Sequence, residues 1–570
     1  MMAEERRLAI CIKGGVSLGA YEAGVLAKSL ELIANNNSRN PIKWYVDTLA
    51  GASAGSMTAV ATTCTLLDSA SNYLYRMWVE KAALSTLTPD PAGVPAYDGY
   101  KTGDNLLAAS ALDTLAADFD TPPRMVTNRH PAMRPGAASI RLSFSLSNIN
   151  GTPNRVDTLN DIPLVFREYA DAAVFQVSVD GDGKAYVSGS DTRAVGAADP
   201  GDDSATAWHA MVRSAIASGS FPVAFSPRGL WRWHQDRREY TAEYYADGGL
   251  FDNDPVGKLI NLAHDTDWSP ANPAFQDNER RFLVVHTAAA DLSDRTISAG
   301  SFYPTLDLNP IDLAQKLVPA FMDESMQSGL RGITTVNRQF ANRMVVLNRL
   351  ARLASTSPTP PSGSSALAGA ISALAELRGF SADQIDRLRG FLVPDLEDTD
   401  PVLYKEVAGL APAARAMFED WAIFFDLAFN IADKIPIKPI LIAPAPDEKL
   451  SGDPLFAFAG FFSKILREFD FARGQYDAFQ AWEAVSKSAD HDFTIEGADR
   501  PEPVGNPEPD TGAPSSSNEY DRGLRVFRDR IKVVLDRAID ELKGQSGPAA
   551  RIGLGLLQML ANLGVDTIGS

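Results

Sequence analysis

Residues 8–19 read LAICIKGGVSLG, an apolar run that ends in a glycine-rich turn. The run predicts a short buried strand, and residues 20–33 place apolar side chains at helical spacing. Residues 44–55 repeat this arrangement with an apolar strand that ends in GASAG, and residues 56–67 predict a second helix. Two consecutive strand–turn–helix units predict an α/β domain whose parallel sheet carries helices on its faces.

The second turn places Ser53 between small residues, after a strand and before a helix. This setting is typical of a nucleophile elbow, in which glycines such as Gly51 and Gly55 permit the strained turn that exposes the serine hydroxyl. The amides that begin the next helix also favour negative charge on an attacked carbonyl oxygen. The string GASAG is common by chance, so its position between strand and helix is what makes Ser53 a candidate nucleophile.

The first turn, GGVSLG at residues 14–19, offers a run of backbone N–H groups of the kind that an oxyanion hole requires. A phosphate-binding turn is the alternative interpretation. The glycine spacing does not fit the dinucleotide fingerprint, and neither Lys-Ser nor Lys-Thr follows to complete a P-loop. Together with the serine turn downstream, the pattern favours an oxyanion turn.

Asp247 begins the string DGG, which follows an extended stretch and precedes a predicted helix. Asp-Gly alone usually marks a turn. The six histidines lie in less suggestive contexts, so an aspartate that activates the serine directly becomes the natural interpretation; they are His130, His209, His234, His264, His286 and His491. A carboxylate with an ordinary pKa of ~3.9 is a weak base, so this chemistry needs a short Ser–Asp hydrogen bond in a poorly hydrated site.

Four motifs occur in the order GGVSLG with GVL, GASAG, ASGSFP (residues 217–222) and DGG. Over about residues 8–290 the chain therefore resembles bacterial patatin-like phospholipases. The resemblance implies a three-layer α/β/α fold. It also implies a Ser–Asp dyad that hydrolyses acyl esters of phospholipids or lysophospholipids through an acyl-enzyme, without a metal or other cofactor.

Carried over by position, the resemblance makes Ser53 the nucleophile and Asp247 the base, and it assigns the oxyanion hole to the amides near Gly14, Gly15 and Val16. The family's first turn usually has a third glycine and then a basic residue. Here Val16 and Leu18 stand at those places. Val16 is expected to be strained if its position requires a positive φ, and Lys13 is the nearby candidate for the missing charge.

The rest of the chain changes character after the predicted sheet domain. Beyond about residue 335 helical periodicity dominates, and a stretch rich in Pro, Asp, Glu, Gly and Ser follows. The predicted organisation is a sheet domain with a mainly helical C-terminal extension, divided as 1–335 (with a loop and hairpin insertion at about 85–205), a helical extension 336–485, a mobile linker 486–517, and amphipathic helices 518–570.

The net charge and the apolar segments of the chain exclude some classes of function. The net charge of -19 and the pI near 4.8 oppose binding to nucleic acid through phosphate neutralisation. The charged N-terminus does not predict a signal peptide, and the longest apolar window near the end, residues 552–563, is about half the ~20 residues that span a membrane. We therefore expect a cytoplasmic protein with at most peripheral membrane contact. Cys11 and Cys64 each lie in an apolar stretch, so we expect both to be buried free thiols.

Three alternatives stay open at this stage. A Ser-His-Asp α/β-hydrolase would use Ser53, Asp247 and His286, although only about one βα unit fits before the elbow. A non-catalytic lipid-binding or scaffold protein could keep the same fold. Calcium binding at DGDG, residues 180–183, is disfavoured because Lys184 occupies the next alternate position.

Overall fold

The first strand is buried along its whole apolar run, from Leu8 to Ile12, and is followed by the glycine turn. The computed structural model describes residues 4–83, 111–119, 126, 128–136, 138–156, 164–188, 195–197, 206–222, 224–234, 238–269, 272–273, 280–287, 310–356, 364–432, 437–445, 448–452, 457–488 and 492–503. Among these residues ten strands form one mixed sheet, and two short strands form a separate pair.

The strands are numbered in chain order. They are β1 (Glu5–Ile12), β2 (Lys43–Gly51), β3 (Ala138–Val156), β4 (Leu164–Val179), β5 (Ala185–Ser188), β6 (Val195–Ala197), β7 (Arg228–His234), β8 (Glu239–Asp247), β9 (Trp268–Ser269), β10 (Asn272–Pro273), β11 (Arg280–Val285) and β12 (Ile440–Ile442). The main sheet has the order β12-β11-β1-β2-β3-β8-β7-β6, and β4 pairs with β3 and β5. β1, β2 and β3 are parallel neighbours, whereas β8 is antiparallel to β3 and β7.

The helices are likewise numbered in chain order. They are α1 (Gly19–Arg39), α2 (Ala54–Leu67), α3 (Tyr73–Tyr75, continued by a π-helical turn at Arg76–Lys81), α4 (Ala111–Ala116), α5 (Ala207–Ser218), α6 (Val256–Asp267), α7 (Pro310–Thr356), α8 (Ser364–Arg378), α9 (Ala382–Thr399), α10 (Pro401–Ala408), α11 (Pro412–Ala428) and α12 (Lys464–Ser486). α2 consists mostly of Ala, Gly, Ser and Thr, and nearly every residue of it is buried. Small side chains let this helix pack closely in the core.

Two glycines bring α1 and α12 into close contact. A Cβ added at Gly24 would collide with the carbonyl oxygen of Phe471, and one added at Gly474 would collide with that of Tyr21. Each helix therefore presents a bare backbone where the other crosses it. The C-terminal helix α12 is thus built into the same core as the helix that follows the first turn.

The α/β class predicted from the sequence is confirmed, and helices dominate between residues 310 and 486. Two regions differ from the predicted boundaries. The stretch assigned to an insertion at 85–205 supplies β3, which pairs with β2 and β8 in the sheet. The predicted extension 336–485 does not form a single unit, because β12 pairs with β11 and α12 packs on α1. The described residues from Ile440 to residue 503 therefore belong to the sheet unit.

Part of the predicted mobile linker 486–517 packs against the sheet unit. Phe493 is buried and stacks on Trp482, with ring centroids 4.4 Å apart. Arg6 Nε donates to the buried Asp492 carboxylate at 2.9 Å. The ring stacking and the ion pair both help to hold residues 492–503 in place. Residues 504–517 and the predicted helices 518–570 lie outside the described residues.

A second unit comprises residues 260–280 and 328–439 and has its own apolar core. Helices α9, α10 and α11 meet the end of α7 around Leu347, Leu396 and Phe418. Arg343 in α7 binds both carboxylate oxygens of Asp426 in α11, at 2.8 and 2.9 Å. Every helix within the described residues is too short or too polar to cross a lipid bilayer.

Candidate active site

The register of β3 brings the ends of two strands together. β2 runs parallel to β3 and ends where Gly51 pairs with Phe144. β8 runs antiparallel to β3 and ends two residues further on, where Asp247 pairs with Leu146. The ends of the two strands therefore approach each other beside the same stretch of β3. There the Oγ of Ser53 donates a hydrogen bond to Asp247 Oδ2 at 2.5 Å.

Ser53 occupies a strained turn between β2 and α2. Its φ is 52° and its ψ is -124°, a conformation that L-residues rarely adopt. A Cβ at Gly51 would collide with the Gly55 carbonyl, and a Cβ at Gly55 would collide with the backbone at the end of β1. The Ser53 amide donates to Ser218 Oγ at 3.0 Å. This is the geometry of a nucleophile elbow, with the serine at the N-terminus of a helix.

Asp247 is fixed on three sides and is only 2% exposed. The Gly249 amide donates to Asp247 Oδ1 at 2.7 Å, which leaves Oδ2 for Ser53. The Asp247 amide donates to the Ser220 carbonyl at 3.0 Å, and Ser147 Oγ donates to the Asp247 carbonyl at 2.7 Å. The carboxylate is therefore held toward the serine before any substrate arrives.

The environment makes Asp247 a stronger base than an ordinary carboxylate. Burial raises the pKa of Asp247 to about 7, and the hydrogen bonds from the Ser53 hydroxyl and the Gly249 amide act in the opposite direction. A base whose pKa lies near neutral pH accepts a hydroxyl proton more readily and still exists partly ionised. The arrangement can therefore take a proton from Ser53 without a histidine.

The first turn lies directly beside the elbow. A Cβ at Gly14 would stand 2.9 Å from the Cβ of Ser53. The Gly14 amide, which the resemblance assigned to the oxyanion hole, already donates to the Asn253 carbonyl at 3.2 Å. Within the described part of the chain, the amides of Gly15 and Val16 have no protein acceptor. Gly14 thus leaves room for the side chain of Ser53. The backbone N–H groups of Gly15 and Val16 remain available as hydrogen-bond donors.

A protein-family model described as patatin-like phospholipase matches residues 10–260. This stretch, which is less than half of the chain, is similar to the patatin-like phospholipase family. The match covers both turns, β3 to β8, and Asp247. It gives the domain the general character of a lipid acyl hydrolase. A search of curated proteins finds no match to the chain.

The patatin-like domain departs from its family's first turn at two positions. Val16 has a φ of 52°, so the expected strain at this residue is present. Leu18 is buried, and the basic residue expected at its position is missing. Lys13 is buried one residue before the turn, and its charge acts on both Glu22 and Asp254. A cation is therefore present under the turn, although it comes from the end of the strand.

The C-terminal part of the chain supports this turn. Ser17 Oγ donates to the Ala457 carbonyl and accepts a hydrogen bond from the Gly460 amide. These contacts place the short helical turn Ala459–Phe462 against the first turn of the patatin-like domain, and Phe461 reaches the pocket beside Ser53. The neighbouring aromatic residues Phe458 and Phe462 are buried as well.

An apolar pocket of about 380 Å³, including space open to solvent, adjoins the nucleophile. Apart from Ser53, its lining consists of apolar side chains and one glycine. The lining residues are Val16, Ser53, Ala54, Met57, Trp78, Leu112, Leu115, Gly219, Phe221, Phe225 and Phe461. Such a surface suits a hydrocarbon chain rather than a charged group.

No histidine lies between the two reactive side chains, because Ser53 bonds to Asp247 directly. His286, the histidine of the α/β-hydrolase alternative, follows β11, and its amide donates to the Ile442 carbonyl at 2.9 Å. Within the described residues no group of three or more His, Cys, Asp or Glu side chains is arranged to hold a metal ion.

Sequence reasoning missed several supporting residues. Ser218 connects the elbow to the sheet, because its Oγ accepts from the Ser53 amide and donates to the Ser145 carbonyl at 2.6 Å. Ser220 accepts from the Asp247 amide. Both belong to the string ASGSFP, which is part of the resemblance but does not by itself predict these contacts. The place of Phe461 in the pocket depends on packing between distant residues, which the sequence pattern does not predict.

Proposed function

We propose that the protein hydrolyses acyl esters of phospholipids or lysophospholipids through an acyl-enzyme formed on Ser53. The single observation that carries the proposal is the 2.5 Å hydrogen bond from Ser53 to the buried Asp247, beside an apolar pocket. The family of residues 10–260 supports the general class of reaction.

In the acylation step, Asp247 accepts the Ser53 proton while Oγ attacks the ester carbonyl carbon. The negative charge then develops on the former carbonyl oxygen, for which the amides of Gly15 and Val16 are the proposed donors. When the tetrahedral intermediate collapses, the carbon–oxygen bond to the leaving alcohol breaks and Asp247 returns the proton to that alcohol. The acyl group stays on Ser53.

In the deacylation step, a water molecule takes the place of the alcohol. Asp247 accepts a proton from this water as its oxygen attacks the acyl carbon, and the proton then passes to Ser53 Oγ as the acyl–enzyme bond breaks. The products are a free fatty acid and the regenerated serine. The elevated pKa of Asp247 serves both steps, because the same carboxyl group must accept and then release a proton.

The pocket and the charge favour particular substrates. An acyl chain fits the apolar lining beside Ser53. The net charge of -19 repels anionic surfaces, so zwitterionic or neutral lipids are the favoured substrates, reached by peripheral contact with a membrane.

The test is hydrolysis of a mixed lipid panel, with products identified by mass. Wild type is expected to release fatty acid faster from phosphatidylcholine than from phosphatidylglycerol at low salt, and Ser53→Ala is expected to release none above background. Ser38→Ala, at an exposed serine of α1, is the matched control and should behave as wild type. A folded wild type that hydrolyses no lipid would favour the scaffold alternative instead.

A further inference from the structure

A buried carboxyl group without a role in the proposed chemistry lies directly under the first turn. Glu22, in the first turn of α1, is 0% exposed. A Cβ at Gly15 would stand 2.9 Å from Glu22 Oε1. Within the described part of the chain, this oxygen is buried and has no hydrogen-bond partner. A glutamate on a helix normally reaches water, so this position requires an explanation.

The other carboxyl oxygen connects the turn to the nucleophile helix. Glu22 Oε2 lies 3.0 Å from Thr58 Oγ1 in α2. Thr58 Oγ1 also lies 2.9 Å from the Ala54 carbonyl and accepts from Trp78 Nε1 at 2.9 Å. Ala54 directly follows Ser53, and Trp78 lines the pocket. One chain of hydrogen bonds therefore joins the first turn, the elbow helix and the pocket wall.

Hydrogen-bond accounting favours a neutral Glu22. The Thr58 hydroxyl has one proton and two acceptor positions. If Glu22 is protonated, its carboxyl donates to Thr58, Trp78 donates to Thr58, and Thr58 donates to the Ala54 carbonyl. Every contact of the Thr58 hydroxyl is then satisfied. If Glu22 is ionised, the carboxylate and the Ala54 carbonyl compete for the same proton.

The charges around Glu22 come from three neighbouring segments. Burial raises the pKa of Glu22 to about 8, while the Thr58 hydrogen bond and the charge of Lys13 lower it. Lys13 follows β1, and Asp254 lies in the loop before α6 close enough to interact with the same cation. Glu22 also acts on the buried thiol of Cys11, which in addition faces Asp252 and Asp254. At neutral pH the predominant form of Glu22 is uncharged, so Lys13 and Asp254 approximately balance.

We propose that Glu22 is a positioning residue of the acyl-transfer site, which as a neutral acid fixes the first turn against the nucleophile helix and when ionised weakens stabilisation of the oxyanion. The inference rests on the proposed function. Ionisation adds a negative charge next to Gly15, where negative charge also develops in the transition state, and it breaks the satisfied hydrogen-bond pattern at Thr58. Hydrolysis therefore decreases as Glu22 ionises.

The experiment is the pH dependence of kcat and KM for lipid ester hydrolysis by wild type, Glu22→Gln and Glu31→Gln, with the rate of Ser53→Ala subtracted. Glutamine keeps the shape of Glu22 and cannot ionise. Glu31, an exposed residue of the same helix, provides the matched control. Wild type and Glu31→Gln are expected to lose about tenfold in kcat above pH 8, with little change in KM. Glu22→Gln is expected to keep its kcat to pH 9.5.

A second variant, Thr58→Val, removes the hydroxyl that shares a hydrogen bond with Glu22. The pH at which kcat decreases should then shift, which a purely structural role of Thr58 would not produce. An alkaline decrease that is absent in wild type, or equal in wild type and Glu22→Gln, would overturn the inference while leaving the proposed function intact. A wild type without any Ser53-dependent hydrolysis would overturn both.

Discussion

Two turns at the same edge of the sheet each hold a non-glycine residue at a φ of 52°, and they use the strain differently. In the elbow the strained residue is Ser53, whose side chain is the proposed nucleophile. In the first turn the strained residue is Val16, whose side chain lines the pocket while its amide is the proposed donor. The proposal therefore requires the side chain in one turn and only the backbone in the other.

The largest expected effect concerns Asp247, the hydrogen-bond partner of the elbow serine. Asp247→Asn keeps the shape of the base but cannot accept the Ser53 proton, so we expect a loss of roughly 10³-fold in kcat/KM. Ester hydrolysis by the purified variant measures it. His286→Ala is the control and should stay within about twofold of wild type by the same reasoning. A severe loss in His286→Ala with a mild loss in Asp247→Asn would assign the base to the histidine.

A smaller effect comes from the titration of the same carboxyl group. Because burial raises the pKa of Asp247 to about 7, its proton-accepting form is lost as the pH falls below that value. We expect kcat/KM to decrease about tenfold per pH unit below pH 6.5. A pH–rate profile on an uncharged ester measures this, since the substrate itself does not titrate. A profile that stays flat down to pH 5 would show that Asp247 does not act with a raised pKa.

The smallest expected effect distinguishes backbone strain at Ser53 and Val16 from the chemical roles of the two residues. Alanine at a φ of 52° is strained and glycine is not, so Ser53→Gly and Val16→Gly should each be more stable than the matching alanine variant by about 1 kcal/mol. Calorimetric melting compares the pairs. Val16→Gly should keep activity within about threefold, because its amide remains, whereas Ser53→Gly should have none. Equal stabilities within each pair would mean that the backbone at these turns relaxes.

The sequence predicts the core of the fold and the proximity of Ser53 and Asp247 because the signals are local. A buried strand, a glycine turn and a helix follow one another within about 20 residues, and Ser53 and Asp247 sit at the ends of strands. Parallel pairing of β2 with β3 and antiparallel pairing of β3 with β8 then bring both ends together.

The structural features that the sequence does not predict depend on contacts between residues that are distant in the chain. β12 has only three residues, which is too short for a periodic pattern to predict a strand, yet it extends the sheet beside β11. β3 lies in a region whose prolines and aspartates suggested an insertion. A glutamate in a helix is expected to face solvent, but the packing of α1, α2 and the first turn buries Glu22. The engagement of the Gly14 amide by Asn253 likewise requires a partner more than 200 residues away.

The most direct measurement of the central claim is covalent labelling by a fluorophosphonate ester, followed by peptide mass spectrometry to locate the modified residue. The proposed dyad predicts one phosphonylated residue, Ser53, with labelling that is strongly slowed in Asp247→Asn and unchanged in His286→Ala. Labelling of a different serine, or no labelling of folded wild-type protein, would contradict the proposal that Ser53 and Asp247 form the reactive pair.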